Sequence, residues 1–99
     1  MSLLVDVEDW VSEQFADATF DGVVAKLREE FAELEASGFR DPIEMADVIF
    51  VLCHLNYLVD PKGTWLGHTV AAKLAINKAR TWAKNENGSY SHVEEAKDD

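Results

Sequence analysis

Cysteine is nearly missing from this chain. Cys53 is the only one among 99 residues, so no intrachain disulfide can form, and a reducing, cytoplasmic setting is the expectation. Positive charge is also short: nine Lys and Arg stand against 19 Asp and Glu, a net charge of −10. That balance opposes contact with a nucleic-acid duplex or an anionic membrane, and neither is expected as a partner. No basic segment leading into an apolar stretch and a cleavage site opens the sequence, and the longest apolar run is broken by Asp47, His54 and Asn56. The chain therefore reads as soluble.

What is present suits one compact helical domain. With 47% hydrophobic residues in 99, a single core over residues 1–93 is expected, followed by an acidic, solvated tail at 94–99. A chain this short leaves much of its surface exposed, so a strongly apolar helix calls for a partner subunit. Leu4, Val7, Trp10 and Val11 mark a first helix over about Leu3 to Gln14. Asp21 and Gly22 are read as opening a second helix that runs to Ala36, with Ser37 and Gly38 as its stop. Asp41 and Pro42 open a third, which reaches Val59 and from Met45 onward is apolar on almost every side. A fourth is expected over Thr64 to Lys84, ending before the Asn87, Gly88 turn, with strand character confined to Ser89 to Val93. The fold class is all-α: a bundle of about four helices, assembled as an oligomer with helices packed across subunits.

The acidic excess is patterned. Glu29, Glu30 and Glu33 on the second helix form E-E-x-x-E, and Glu44 and Asp47 on the third form E-x-x-D. Taking Leu27 as zero, Glu30 falls roughly 60° and Glu33 roughly 120° round one flank of the apolar stripe, while Glu29 points nearly opposite, toward water. Two helices joined by a short turn at Gly38 tend to lie antiparallel, which brings the two acidic pairs together. Such a cluster must take up protons or cations. Carboxylates with water suit Mg²⁺ or Mn²⁺, whereas zinc more often recruits His or Cys. Each acid also has an ordinary explanation: solvent exposure for Glu29 and Glu33, an ion pair with Lys26 for Glu30, and a capping box from Asp41 for Glu44. Asp47 resists that reading best, because a carboxylate in so apolar a helix is costly without a specific partner.

On the fourth helix Lys73, Asn77 and Arg80 stand at i, i+4 and i+7 along one face. A cation, an amide and a guanidinium fork in a row can grip phosphate oxygens, or simply pair with acidic neighbours. A flat apolar slot for an aromatic ligand finds its best supply in Trp10, Phe15 and Phe20, with Trp82 beside them as a candidate, though each is also ordinary core material.

The E-E-x-x-E and E-x-x-D pair resembles the signature of the all-α nucleoside triphosphate pyrophosphohydrolases, the MazG and dimeric dUTPase superfamily. The run K-L-A-I-N-K-A-R-T-W from Lys73 to Trp82, followed by Gly88 and His92, is similar to the K-x-x-x-N-x-x-R-x-W block of its MazZ-like dATP/dGTP diphosphohydrolase branch, associated with phages. Trp10, Phe15, Gly22, Val23 and the D-P-I-E-M-A-D-V-I segment from Asp41 to Ile49 have counterparts there as well. Ala16 and Ala83 stand where the family usually carries glycine and proline.

The resemblance implies hydrolysis of a (d)NTP, with a purine deoxynucleotide such as dGTP or dATP foremost, to the monophosphate and pyrophosphate. It implies two or more Mg²⁺ or Mn²⁺ ions on Glu30, Glu33, Glu44 and Asp47, with Glu29, Glu30 and Glu33 as the catalytic group in which Glu29 or Glu33 orients the attacking water. Lys73, Asn77 and Arg80 would hold the phosphates, and the assembly would be a homo-oligomer, a dimer or tetramer. The competing expectation is a non-catalytic interaction domain whose third helix is a dimer seam.

Overall fold

The computed structural model describes residues 3–63 and 65–94. Most of the acidic tail, and Thr64 as the start of the fourth helix, lie outside them. Two compact units divide the chain, residues 1–69 and 70–99.

The first unit holds three full helices: α1 (Leu3–Gln14), α2 (Phe20–Ala36) and α3 (Pro42–Val59). Helix α3 packs against both α1 and α2. The start of α2 differs from the sequence expectation. Its N-cap is Thr19, whose hydroxyl accepts from the Gly22 N–H at 3.1 Å, so Asp21 lies in the first turn, where its charge favours the helix dipole. A Cβ on Gly22 would come within 3.0 Å of the Thr19 hydroxyl, which accounts for glycine there.

Helix α2 ends in a Schellman turn. The Gly38 N–H donates to the Glu35 carbonyl at 2.9 Å and the Phe39 N–H to the Leu34 carbonyl at 3.0 Å. Both Gly38 (φ 72°) and Phe39 (φ 60°) take left-handed backbone, a conformation that costs a non-glycine residue energy. Phe39 offsets that cost by packing edge-on against Phe31, ring centroids 5.9 Å apart. Two residues later Asp41 caps α3 by accepting from the Ile43 N–H at 2.9 Å, with Pro42 in the first turn. This tight reversal lays α3 antiparallel along α2.

Burial is sparse within the chain. Among the described residues Val11, Val23 and Cys53 are the buried apolar ones, joined by the polar Glu8, Glu30 and His54. In the single chain much of α3 is exposed: Ile43 at 69%, with Met45, Ile49, Leu52 and Val59 also open. Helix α3 is 18 residues long with mean hydropathy 1.4, enough by length and composition to cross a bilayer. Its contacts with α1 and α2 and its charged Glu44 and Asp47 instead suit a packed helix of a globular protein.

Helix α4 (Leu66–Ala79) spans the boundary between the units. It stops five residues short of the expected Lys84, because Trp82–Lys84 (β1) pairs antiparallel with Tyr90–His92 (β2), Trp82 opposite His92. The fold is thus mostly helical, four helices with a small two-strand hairpin, among the described residues. Gly88 (φ 90°) makes the hairpin turn, and the Asn87 side chain accepts from the Ser89 N–H at 3.0 Å. The Trp82 indole N–H donates to the Asn77 carbonyl at 2.8 Å, closing the last turn of α4.

Candidate active site

The antiparallel pairing of α2 and α3 sets Glu30 opposite Glu44 and Asp47. One carboxylate oxygen from each of the three lies within 4.8 Å of the others. Glu30 is 7% exposed, while Glu44 and Asp47 keep some exposure. The Lys26 ammonium, one turn back on α2, contacts Glu30 Oε1 at 3.0 Å and Glu29 at 3.5 Å. Glu30 Oε2 and Glu44 Oε2 are buried with no hydrogen-bond partner. The capping box that would have occupied Glu44 leaves that oxygen free. Buried acceptors without partners in so tight a carboxylate cluster suit a hard cation, and an oxygen-only donor set fits Mg²⁺ or Mn²⁺.

Electrostatics tie the group together. The hydrogen bond from Lys26 holds Glu30 below the usual carboxylate range, against the upward push of burial, and Glu30 and its neighbour Glu29 raise Lys26 in turn. Glu33 lies outside the tight trio on the exposed side of α2. Its interaction with Glu30, together with the charges of Glu30 and Glu44, raises its pKa. Glu29 is exposed and turned toward Lys26, as its angle on the helix requires.

Glu30 and Asp47 of the trio open onto a cleft of about 600 Å³. Glu30, Lys26, Val23 and Gly22 line it along α2, and Asp47, Phe50, Val51 and His54 along α3. Trp10 and Val11 of α1 and Phe15 and Asp17 of the following turn complete it. Trp10 meets Phe15 edge-on at 5.6 Å and Phe50 at 6.0 Å, and Phe15 lies against His54 at 5.9 Å. One end of the cleft is therefore acidic and the other aromatic. Of the residues expected to form an apolar slot, Trp10 and Phe15 line it and Phe20 does not. Trp82 belongs to the second unit, paired in the hairpin and edge-on to His92 at 6.1 Å.

In that second unit Lys73 and Asn77 share one face of α4, and Arg80 follows just past its end. Lys73 is exposed, Asn77 and Arg80 partly covered. The Asn77 Oδ1 is buried without a hydrogen-bond partner.

Sequence reasoning missed three groups. His54, 8% exposed and held by burial below the usual imidazole pKa, lies two turns along α3 from Asp47, so the i+7 spacing was the available signal. Asp17 sits in an aperiodic turn that gave none. Glu8, 1% exposed, accepts hydrogen bonds from the Asn56 side chain and from the Leu66 N–H at 2.8 Å, capping α4 from a distant part of the chain.

The chain is similar to proteins of known activity. The family model for dATP/dGTP pyrophosphohydrolases matches residues 4–99. A dATP/dGTP diphosphohydrolase of Cyanophage S-2L is 38% identical over 92 residues, 92% of this chain and 85% of that protein. Another, of Salmonella phage PMBT28, is 34% identical over 88% of this chain but only 29% of its own length. Among solved structures, the Cyanophage S-2L MazG-like pyrophosphohydrolase bound to dGDP and three catalytic Mn²⁺ ions per active site matches with a TM-score of 0.66 at 37% identity, covering 95% of this chain and 92% of that one. A family match over nearly the whole chain, together with the acidic trio at the mouth of an aromatic cleft, leads to one conclusion: the chain belongs to the dATP/dGTP pyrophosphohydrolase family.

Proposed function

We propose that this chain hydrolyses dGTP or dATP to the deoxynucleoside monophosphate and pyrophosphate, with Mg²⁺ or Mn²⁺ held by Glu30, Glu44 and Asp47. The observation that carries the reading is the convergence of these three carboxylates, two with an orphaned buried oxygen, at one end of a cleft whose other end is aromatic. Such ions, when bound, hold the phosphate chain and a water together and offset charge developing at the attacked phosphorus. Glu33, raised in pKa beside Glu30, serves as the fourth carboxylate or as the acceptor that orients the water, a role for which Glu29 is less well placed. Trp10 and Phe15 receive the base. Lys73, Asn77 and Arg80 are the groups we assign to the phosphates.

The uncovered apolar surface supports assembly. Leu27, Phe31, Val48 and Leu52 line a shallow apolar hollow on the α2 and α3 surface. Another copy of the chain, in a dimer or tetramer, is the occupant that fits the family. A cytoplasmic location, where deoxynucleoside triphosphates are available, is part of this proposal. The test is pyrophosphate release from a panel of (d)NTPs with and without Mn²⁺. Asp47→Ala is expected to lower kcat/KM by about 100-fold or more, since it removes a charge from the cation site; metal-independent turnover, or full activity in this variant, overturns the assignment.

A further inference from the structure

The family name leaves open which purine is preferred, and the cleft carries a group that bears on it. Helices α2 and α3 run antiparallel along the cleft, so its two ends are marked twice. Glu30 and Asp47 lie at one end, Val23 and His54 at the other, each pair separated by seven residues and so by about 10.5 Å of helix rise. Phe15 packs on His54, and Asp17 follows two residues later, which places it at the aromatic end, away from the cation site. Asp17 is exposed, and no hydrogen bond or ion pair engages its carboxylate among the described residues.

A free carboxylate at the far end of a pocket for an anionic ligand is unfavourable unless the ligand brings hydrogen-bond donors to it. The two purines differ in this respect. The Watson–Crick edge of guanine presents two adjacent donors, the ring N1–H and the 2-amino group, which match the two oxygens of a carboxylate. Adenine presents a lone pair at N1, which a carboxylate repels, and a single amino group beside it. We propose that Asp17 reads the guanine edge and biases the enzyme toward dGTP over dATP. The inference rests on the pyrophosphohydrolase reading above and adds the residue that chooses the base.

Replacement by asparagine tests it at the level of atoms. Asp17→Asn keeps one acceptor and gains a donor able to meet adenine N1. It is expected to lower kcat/KM for dGTP, raise it for dATP, and reduce their ratio by about ten-fold or more. In the unaltered enzyme dITP, which lacks the 2-amino group, is expected to fall below dGTP, and that gap should close in Asp17→Ala. Asp17 lies in an exposed turn, and thermal melting of each variant checks that the fold is intact. A dGTP to dATP ratio that moves less than about three-fold in both variants, with turnover retained, overturns the role of Asp17 alone. No pyrophosphate release from any nucleotide by the unaltered enzyme overturns the parent reading and this one with it.

Discussion

Glu8 offers a sharp test of how the first unit is held together. Its carboxylate is 1% exposed and joins three places in the chain: α1, the Asn56 amide on α3, and the Leu66 N–H that opens α4. Glu8→Leu keeps most of the side-chain volume and removes both acceptors. Hydrogen bonds to a charged group contribute about 1.5–3 kcal/mol each, and relief of carboxylate desolvation returns part of that. The expected net loss is about 2–4 kcal/mol. For a domain of this size each kcal/mol lowers Tm by about 4–8 °C, so the variant should melt roughly 10–25 °C lower. Glu8→Gln retains one acceptor but turns an amide N–H₂ toward a donor, and should fall between the two. Thermal unfolding at fixed protein concentration, without divalent ions, is the assay. A Glu8→Leu variant melting within about 3 °C of the parent would show that packing around the side chain, rather than its two acceptors, secures this junction.

Lys26→Met removes the ammonium that competes for Glu30, so Mn²⁺ should bind about two- to five-fold more tightly in the absence of nucleotide, read from the midpoint of a thermal-shift titration. Burial lowers the pKa of His54, so the unfolded chain takes up that proton first as pH falls. Stability should therefore decline as pH drops through about 6.5 toward the folded value, and His54→Gln should flatten that part of the metal-free melting profile. Cys53 is fully buried and its thiol is pushed up to about 11, so alkylation at pH 8 should be slow in the native protein and become rapid only in denaturant.

The parts legible in the sequence were those set by local chemistry. The start of α3 followed from Asp41 and Pro42, and the Ser37, Gly38 stop fixed the reversal that brings the acids together. Glu30 and Asp47 could be placed because helical angle and apolar surroundings together define a direction. Glu33, twice as far round the helix from Leu27, falls on the exposed side, as its larger angle implies. The hairpin was only half legible: β1 is three residues long, too short to show a strand period, and Trp82 serves it by binding back to the end of α4. Contacts between segments far apart in sequence, such as Glu8 with Leu66, left no local trace at all.

The charge of −10 bears on the chemistry itself. A protein this acidic repels a triphosphate at long range, so affinity must come from short-range groups that reverse the local sign. Lys26 neutralises one oxygen of Glu30 and leaves Oε2 of Glu30 and of Glu44 without partners. The trio is therefore under-compensated by the chain's own residues, and divalent ions supply what remains. Cation and nucleotide should in consequence bind with positive coupling, each raising the other's affinity by the same factor, as linkage requires. Titration of dGDP with and without Mn²⁺, and of Mn²⁺ with and without dGDP, measures that factor twice. Nucleotide affinity that does not change with Mn²⁺ would mean that the phosphates are held by Lys and Arg side chains instead of through the three carboxylates.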